Sequence, residues 1–172
     1  MIISELLCES AESISYHVTS PGDISPEIMT GLAELISAGQ EVTMSVVNRN
    51  LASAASIAYA LDGDRPVGIV VLKNPVSSYR EKVFYEADVP ELERNYKLEI
   101  GYTYVIQEYR PRGVGINICR KMVNSISTPM YATTREENTT INKLLKFAGF
   151  KLTGSPWRSD RGNYNLLLWT KE

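Results

Sequence analysis

Apolar and polar positions along this 172-residue chain follow two periods in turn, and the changes of period mark out its elements. Residues 13–18 alternate as a first strand, ended by the turn-rich Ser20-Pro21-Gly22-Asp23. Pro26 opens a helix with Ile28, Leu32, Leu35 and Ile36 at helical spacing, and Gly39 stops it. A weaker helix or loop covers Met44 to Ala54. Ser56–Leu61 and Val67–Leu72 are strand-like runs joined through Asp62-Gly63, a strong reversal signal, and they form a hairpin.

After Asn74-Pro75 the chain is charged and aromatic as far as Lys97, an excursion whose Tyr79, Phe84, Tyr85 and Tyr96 are expected to pack against the domain rather than line a pocket. Leu98–Ile106 is the clearest strand, with Ile100, Tyr102, Tyr104 and Ile106 expected on one face. From Gly115 the period lengthens through Ile116, Cys119, Met122, Val123 and Ile126, an amphipathic helix ending near Thr128-Pro129. Met130–Thr134 is a short strand. Asn138 caps a helix over Thr139–Ala148, with Gly149 as its C′ residue. Phe150–Thr153 and Tyr164–Thr170 are closing strands around a loop over Gly154–Asn163. With no repeat or hinge to divide it, residues 1–172 read as a single α+β domain with a mixed sheet.

Composition narrows the chemistry. With 44% apolar and 22% charged residues the chain has enough material for one ordinary core. A long uncharged stretch, Leu51–Leu61, is too short to span a bilayer and is broken by Ser53 and Ser56, so no membrane association is expected. Residues 1–15 carry Glu5, Glu9 and Glu12 without Lys or Arg, the reverse of a signal peptide, which makes the cytoplasm the expected compartment. Two cysteines, Cys8 and Cys119, cannot build a disulfide scaffold or a structural zinc site. Cys119 falls among apolar helix positions and reads as a core residue, and the lone His17 reads as structural or surface. No metal site is expected.

The net charge of −2 hides a division: residues 1–108 hold 7 basic and 16 acidic side chains, and residues 109–172 hold 11 basic and 4 acidic. The basic half suits an anion, while the acidic half would repel a long polyanion, so a small polyphosphate fits better than nucleic acid. Between the clearest strand and the long helix lies Glu108-Tyr109-Arg110-Pro111-Arg112-Gly113-Val114-Gly115. Two glycines at i and i+2 admit close backbone approach, the helix start offers free N–H groups, and the arginines add charge. That combination suits a pyrophosphate. Gly115-Ile116-Asn117 lacks the Lys-Ser/Thr of a Walker loop, and a dinucleotide fingerprint would need a third glycine near Ile118.

Here the sequence resembles the GNAT superfamily of acetyl-CoA-dependent N-acetyltransferases, whose fingerprint Arg/Gln-x-x-Gly-x-Gly/Ala is filled by Arg110, Gly113 and Gly115. The resemblance runs back through residues 98–105 and forward through residues 131–135 and Asn138 to Gly149-Phe150-Lys151; it covers roughly the last 75 residues, and the first 97 match in element order only. It implies a GNAT-like, mostly antiparallel mixed sheet flanked by helices, with a splayed fourth and fifth strand pair. It also implies acetyl-CoA as cosubstrate. The pantetheine arm would pair along Thr103 and Val105, the amide of Val105 would donate to the thioester carbonyl, and amides of Arg112, Gly113, Val114, Gly115 and Ile116 would hold the pyrophosphate. The Asn138 side chain would contact the cofactor.

The resemblance further offers Glu99 as the base that takes the amine's proton, against its being a solvated edge residue or a substrate anchor. Glu108, Glu136 and Glu137 are weaker candidates. Counting seven residues from Asn138 to the family's usual general acid, a tyrosine, gives Leu145, so Tyr131, Tyr164 or water would have to substitute. The segment Trp157-Arg158-Ser159-Asp160-Arg161 falls where acceptor pockets are shaped; its arginines could bind an anion on the acceptor or the cofactor's 3′-phosphate, or form a solvated tip. The expected activity is direct acetyl transfer to a primary amine of a small molecule or peptide. A catalytically silent acyl-CoA-binding module is the alternative, and a homodimer is compatible with either.

Overall fold

In the computed structural model, residues 14–39 and 43–172 are described. Cys8, Ser13 and the acidic start of the chain lie outside them. Seven strands form one sheet in the order β1-β2-β3-β4-β5-β7-β6. Strands β1 (Ser15–Thr19), β2 (Ser56–Asp62), β3 (Arg65–Lys73) and β4 (Leu98–Val105) pair antiparallel, and β5 (Met130–Arg135) lies parallel to β4. β7 (Asn165–Lys171) then runs antiparallel between β5 and β6 (Lys151–Arg158). The parallel pair requires a crossover, and α4 (Val114–Ser125) supplies it.

The period-2 alternation of the strands sorts side chains onto two faces. On one face Val70, Leu72, Ile100, Met130, Ala132 and Trp169 pack under α4 and α5 (Thr139–Phe147). On the other, Ile57, Tyr59, Ile69 and Val71 pack under α1 (Pro26–Gly39) and α2 (Met44–Ala52), while Tyr131 and Leu168 pack under α3 (Ser77–Glu86). The segment 75–97 is therefore no loose excursion. Phe84 and Tyr96 are buried and stacked at 5.8 Å, as the packing expectation required, but Tyr85 is exposed and Tyr79 lines pockets. A buried ion pair, Arg80 to Glu93 at 2.8 Å, ties α3 to the 3-10 turn Pro90–Asn95.

Two further expectations need correction. β4 does not keep Ile100, Tyr102, Tyr104 and Ile106 on one face. Val71 pairs with Gly101 but Ile69 pairs with Tyr104, so β4 carries one extra residue, and Tyr102 takes φ 42°. Such a bulge shifts the register by one residue and exchanges the faces beyond it. Ile100 accordingly lies on the α4 face, Tyr102 and Tyr104 pack toward α1 and α2, and Val105 returns to the α4 face. Likewise β6 continues to Arg158 where a loop was expected from Gly154, because its own bulge between Thr153 and Trp157 absorbs the irregular residues.

Gly154 makes that second bulge, with φ 68°, and the neighbouring Ser155 amide donates to the Ala87 carbonyl at 2.8 Å. A Cβ at Gly154 would overlap the Ala87 carbonyl oxygen. Gly154→Ala should therefore lower the unfolding free energy by roughly 2–4 kcal/mol, from left-handed strain and overpacking together, read as a lower denaturant midpoint at constant m.

Candidate functional site

β4 and β5 pair at only three positions, Leu98 with Met130, Glu99 with Tyr131 and Ile100 with Ala132. Beyond them β4 runs on to Val105 and β5 to Arg135 without pairing to each other. The Ile106 amide donates to the Val67 carbonyl at 3.0 Å, so it points toward β3. By strand alternation the amides of Val105 and Thr103 point the opposite way, into the gap that β5 has left. The Val105 carbonyl is taken there by the Arg110 guanidinium, which donates to it at 2.8 Å and rests on the Tyr104 ring at 5.6 Å. Arg110 thus fixes the end of β4 and leaves the Val105 amide free of that bond.

The gap opens on the α4 face into a cavity of about 600 Å³. Thr103 and Val105 form its β4 wall, Arg110, Gly113, Gly115 and Ile116 its floor, and Asn138 its α5 side. Gly113 takes φ 73°, a left-handed conformation that suits glycine, and starts α4 from there. The first ladder bond of the helix is Asn117 N–H to the Gly113 carbonyl at 3.1 Å, so the amides of Val114, Gly115 and Ile116 precede the ladder and leave the helix end unpaired. Helix N-termini of this kind attract anions.

Two residues singled out from the sequence do not line the cavity with their side chains. Arg112 lies over the Tyr109 ring at 5.1 Å, and the Val114 side chain is buried in the core. Asn138 has a double position: its Oδ1 accepts from the Ile141 amide at 3.3 Å as the cap of α5, which leaves the side-chain NH2 for the cavity. Sequence reasoning missed Thr140, Lys143 and Phe147, which α5 presents to the same cavity at a spacing of three and four residues. Phe147 is 66% exposed at its rim. An apolar residue on the outer face of an amphipathic helix was the available signal.

Glu99 lies at the last stretch of strand pairing, on the opposite face of the sheet, and is 2% exposed. It is neither a solvated edge residue nor alone. Lys73, its register partner on β3, sits 2.9 Å from Oε2, and Oε1 accepts from the Thr133 hydroxyl at 3.0 Å and the Tyr79 hydroxyl at 3.2 Å. Burial and the Glu99 charge push the Tyr79 phenol up to about 12. Leu145 is buried in the core, as is Tyr131, whose hydroxyl has no partner among the described residues. Of the other candidates, Glu108 faces Arg65 at 3.4 Å and Glu136 accepts from Asn165 at 2.9 Å. Cys119 is a fully buried thiol pushed up to about 12 by burial, which fits a packing residue. His17 is stacked on Tyr59 at 5.0 Å. Among the described residues no helix is long and apolar enough to cross a membrane.

Two outcomes follow from the Glu99 cluster. Lys73→Met leaves a buried carboxylate without its counter-charge, while Glu99→Gln leaves an ammonium that is partly exposed and can hydrate. Denaturant titration at pH 7 should find the first the more destabilising, by about 2 kcal/mol or more. Unfolded chains release the Tyr79 proton near pH 10, and the folded protein holds it to about 12. That stability is complete below pH 10 and is lost as the pH rises through this window, so Tyr79→Phe should flatten the alkaline fall in unfolding free energy.

No family model matches the chain, and no curated protein matches it in sequence. Solved structures match it over nearly its full length. An acetyltransferase of the GNAT family from Bacillus cereus aligns at 11% identity over 92% of this chain and 97% of that one, with a TM-score of 0.65. Arabidopsis thaliana NAA60, solved in complex with acetyl-CoA, aligns at 14% identity over 92% and 99%, with a TM-score of 0.65. The ribosomal-protein-S18-alanine N-acetyltransferase of Escherichia coli aligns at 8% identity over 91% and 92%, with a TM-score of 0.64. At these identities what is shared is the path of the backbone, and by that path this chain has the GNAT acetyltransferase fold.

Proposed function

We propose that the chain is an N-acetyltransferase that moves the acetyl group of acetyl-CoA directly to a primary amine of a small molecule or peptide. The observation that carries this reading is one cavity bounded by both the unpaired amides at the start of α4 and the unpaired edge of β4. A ligand with a pyrophosphate at one end and an amide-bearing arm at the other uses both. Acetyl-CoA has that layout and supplies an activated thioester.

In this reading the amides of Val114, Gly115 and Ile116 bind the pyrophosphate, while the Gly113 amide, also expected there, donates to the Arg110 carbonyl at 3.2 Å and the Arg110 side chain holds the strand end in place. The backbone of Thr103 and Val105 pairs with the arm as a missing strand would, and the Asn138 side-chain NH2 adds a contact. The Val105 amide donates to the acetyl carbonyl and strengthens that bond as negative charge grows on the oxygen; a donor of this kind is worth on the order of 10²–10³ in rate. Glu99 accepts the amine's proton through the Tyr79 hydroxyl, which already donates to it and lines the pockets on that face. Water can protonate the departing thiolate, a tolerable leaving group, so Leu145 does not bar turnover.

Leu145 nevertheless favours a second reading, a silent acyl-CoA-binding module, because a buried leucine occupies the position where the resemblance expects an acid. Calorimetry and release of free thiol with an amine panel separate the two. Acetyl transfer predicts both binding and release; binding without release on any amine supports the module, and no binding removes both. Gly115→Val places a branched side chain beside Leu144 and Val105 at the cavity floor and should weaken acetyl-CoA by about 30-fold or more. Glu99→Gln should keep that affinity and lower kcat by on the order of 10²-fold.

A further inference from the structure

A second cavity, of about 220 Å³, lies on the α3 face of the sheet. Thr133 stands in its wall, and Thr133 is the first β5 residue past the last pair with β4, so this cavity meets the parting strands from the side opposite the cofactor cavity. Tyr79 stands in the same wall, with its hydroxyl on Glu99. The volume is below the usual range of ligand pockets and suits a molecule the size of an amino acid. Trp157, Tyr164, Val83 and Leu166 give it apolar surface.

Its charges are unequal. Lys82, Arg158 and Arg161 supply three cations against Glu86 and Asp160. Lys82 and Asp160 satisfy each other at 2.6 Å. No ion pair with a carboxylate engages Arg158 or Arg161 among the described residues, and the remaining carboxylate of the lining, Glu86, is exposed. The arm that carries the arginines is held in shape: the buried Ser159 donates its amide to the Tyr164 carbonyl at 3.0 Å and accepts from the Arg161 amide at 3.1 Å. Arg161 and Tyr79 stand in the lining of the same cavity. Neither arginine lines the cofactor cavity, so a role on the 3′-phosphate has no geometric support.

Resting on the transfer reading above, we propose that the acceptor is a small amine that also carries an anionic group and an apolar or aromatic body, with Arg158 and Arg161 binding the anion. A polyamine or other purely cationic amine would face two exposed guanidiniums that no carboxylate pairs with among the described residues, and is selected against. A planar guanidinium meets a carboxylate or phosphate oxygen pair with two parallel bonds, so the pocket discriminates by charge and also fixes the direction in which the amine points.

The test is a calorimetric comparison that needs no turnover. The full chain is titrated with N-acetylphenylalanine and with its uncharged carboxamide, and separately with acetyl-CoA. The carboxylate should bind at least about tenfold more tightly than the carboxamide, the scale of one charge-assisted hydrogen bond. Arg158→Gln with Arg161→Gln should erase that preference and leave acetyl-CoA binding unchanged. Equal binding of the two compounds, absence of binding by both, or a preference that survives the double substitution overturns the proposal. Failure of acetyl-CoA to bind in its own titration falls instead on the transfer reading.

Discussion

Parallel strands that part leave backbone donors facing one another across a space instead of across a ladder, and this parting of β4 from β5 is what the rest of the molecule is arranged around. Three pairs hold the two strands together and end at Ile100 and Ala132. Two residues later β4 bulges at Tyr102, whose positive φ is an unfavourable conformation for a bulky side chain. The surroundings hold it there: the Asn50 side chain donates to the Tyr102 hydroxyl at 2.5 Å, and the Lys73 ammonium lies 5.3 Å from the centre of its ring. Strain of this sort persists where neighbouring structure over-determines it.

The bulge and the parting set the two faces of the site. On the α4 face the freed edge meets a helix start whose first amides are also unpaired, so two separate deficits of hydrogen bonding border one cavity. On the α3 face the same gap meets Glu99, Tyr79 and Thr133, a buried polar cluster with Lys73 as its counter-ion. The two cavities thereby lie on opposite sides of the sheet at the place where these strands part.

Much of this was legible in sequence where one residue type had one local reason. The glycine at the start of α4, the Asn138 cap and the β2–β3 hairpin through Asp62-Gly63 are local matters, and they were read correctly. α3 was not, because its buried positions include Arg80, a cation that breaks an apolar stripe and is explained only by Glu93 and the Pro75 carbonyl. The facing of Tyr102 and Tyr104 failed for a related reason: a bulge is a relation between two strands, and β4 alone reads as regular alternation. Lys73 and Thr133 were invisible as partners of Glu99, since strand register joins the first and tissue of hydroxyl contacts the second.

The central claim is that the amides of Thr103 and Val105 are held open for a ligand that completes the sheet. Residue-resolved amide hydrogen exchange, with and without acetyl-CoA, addresses it directly. The account predicts that Thr103 and Val105 exchange readily in the free protein and become strongly protected on binding, while Ile106, already bonded to Val67, is protected in both states. Acetyl-CoA that binds while leaving Thr103 and Val105 exchange unchanged would contradict it.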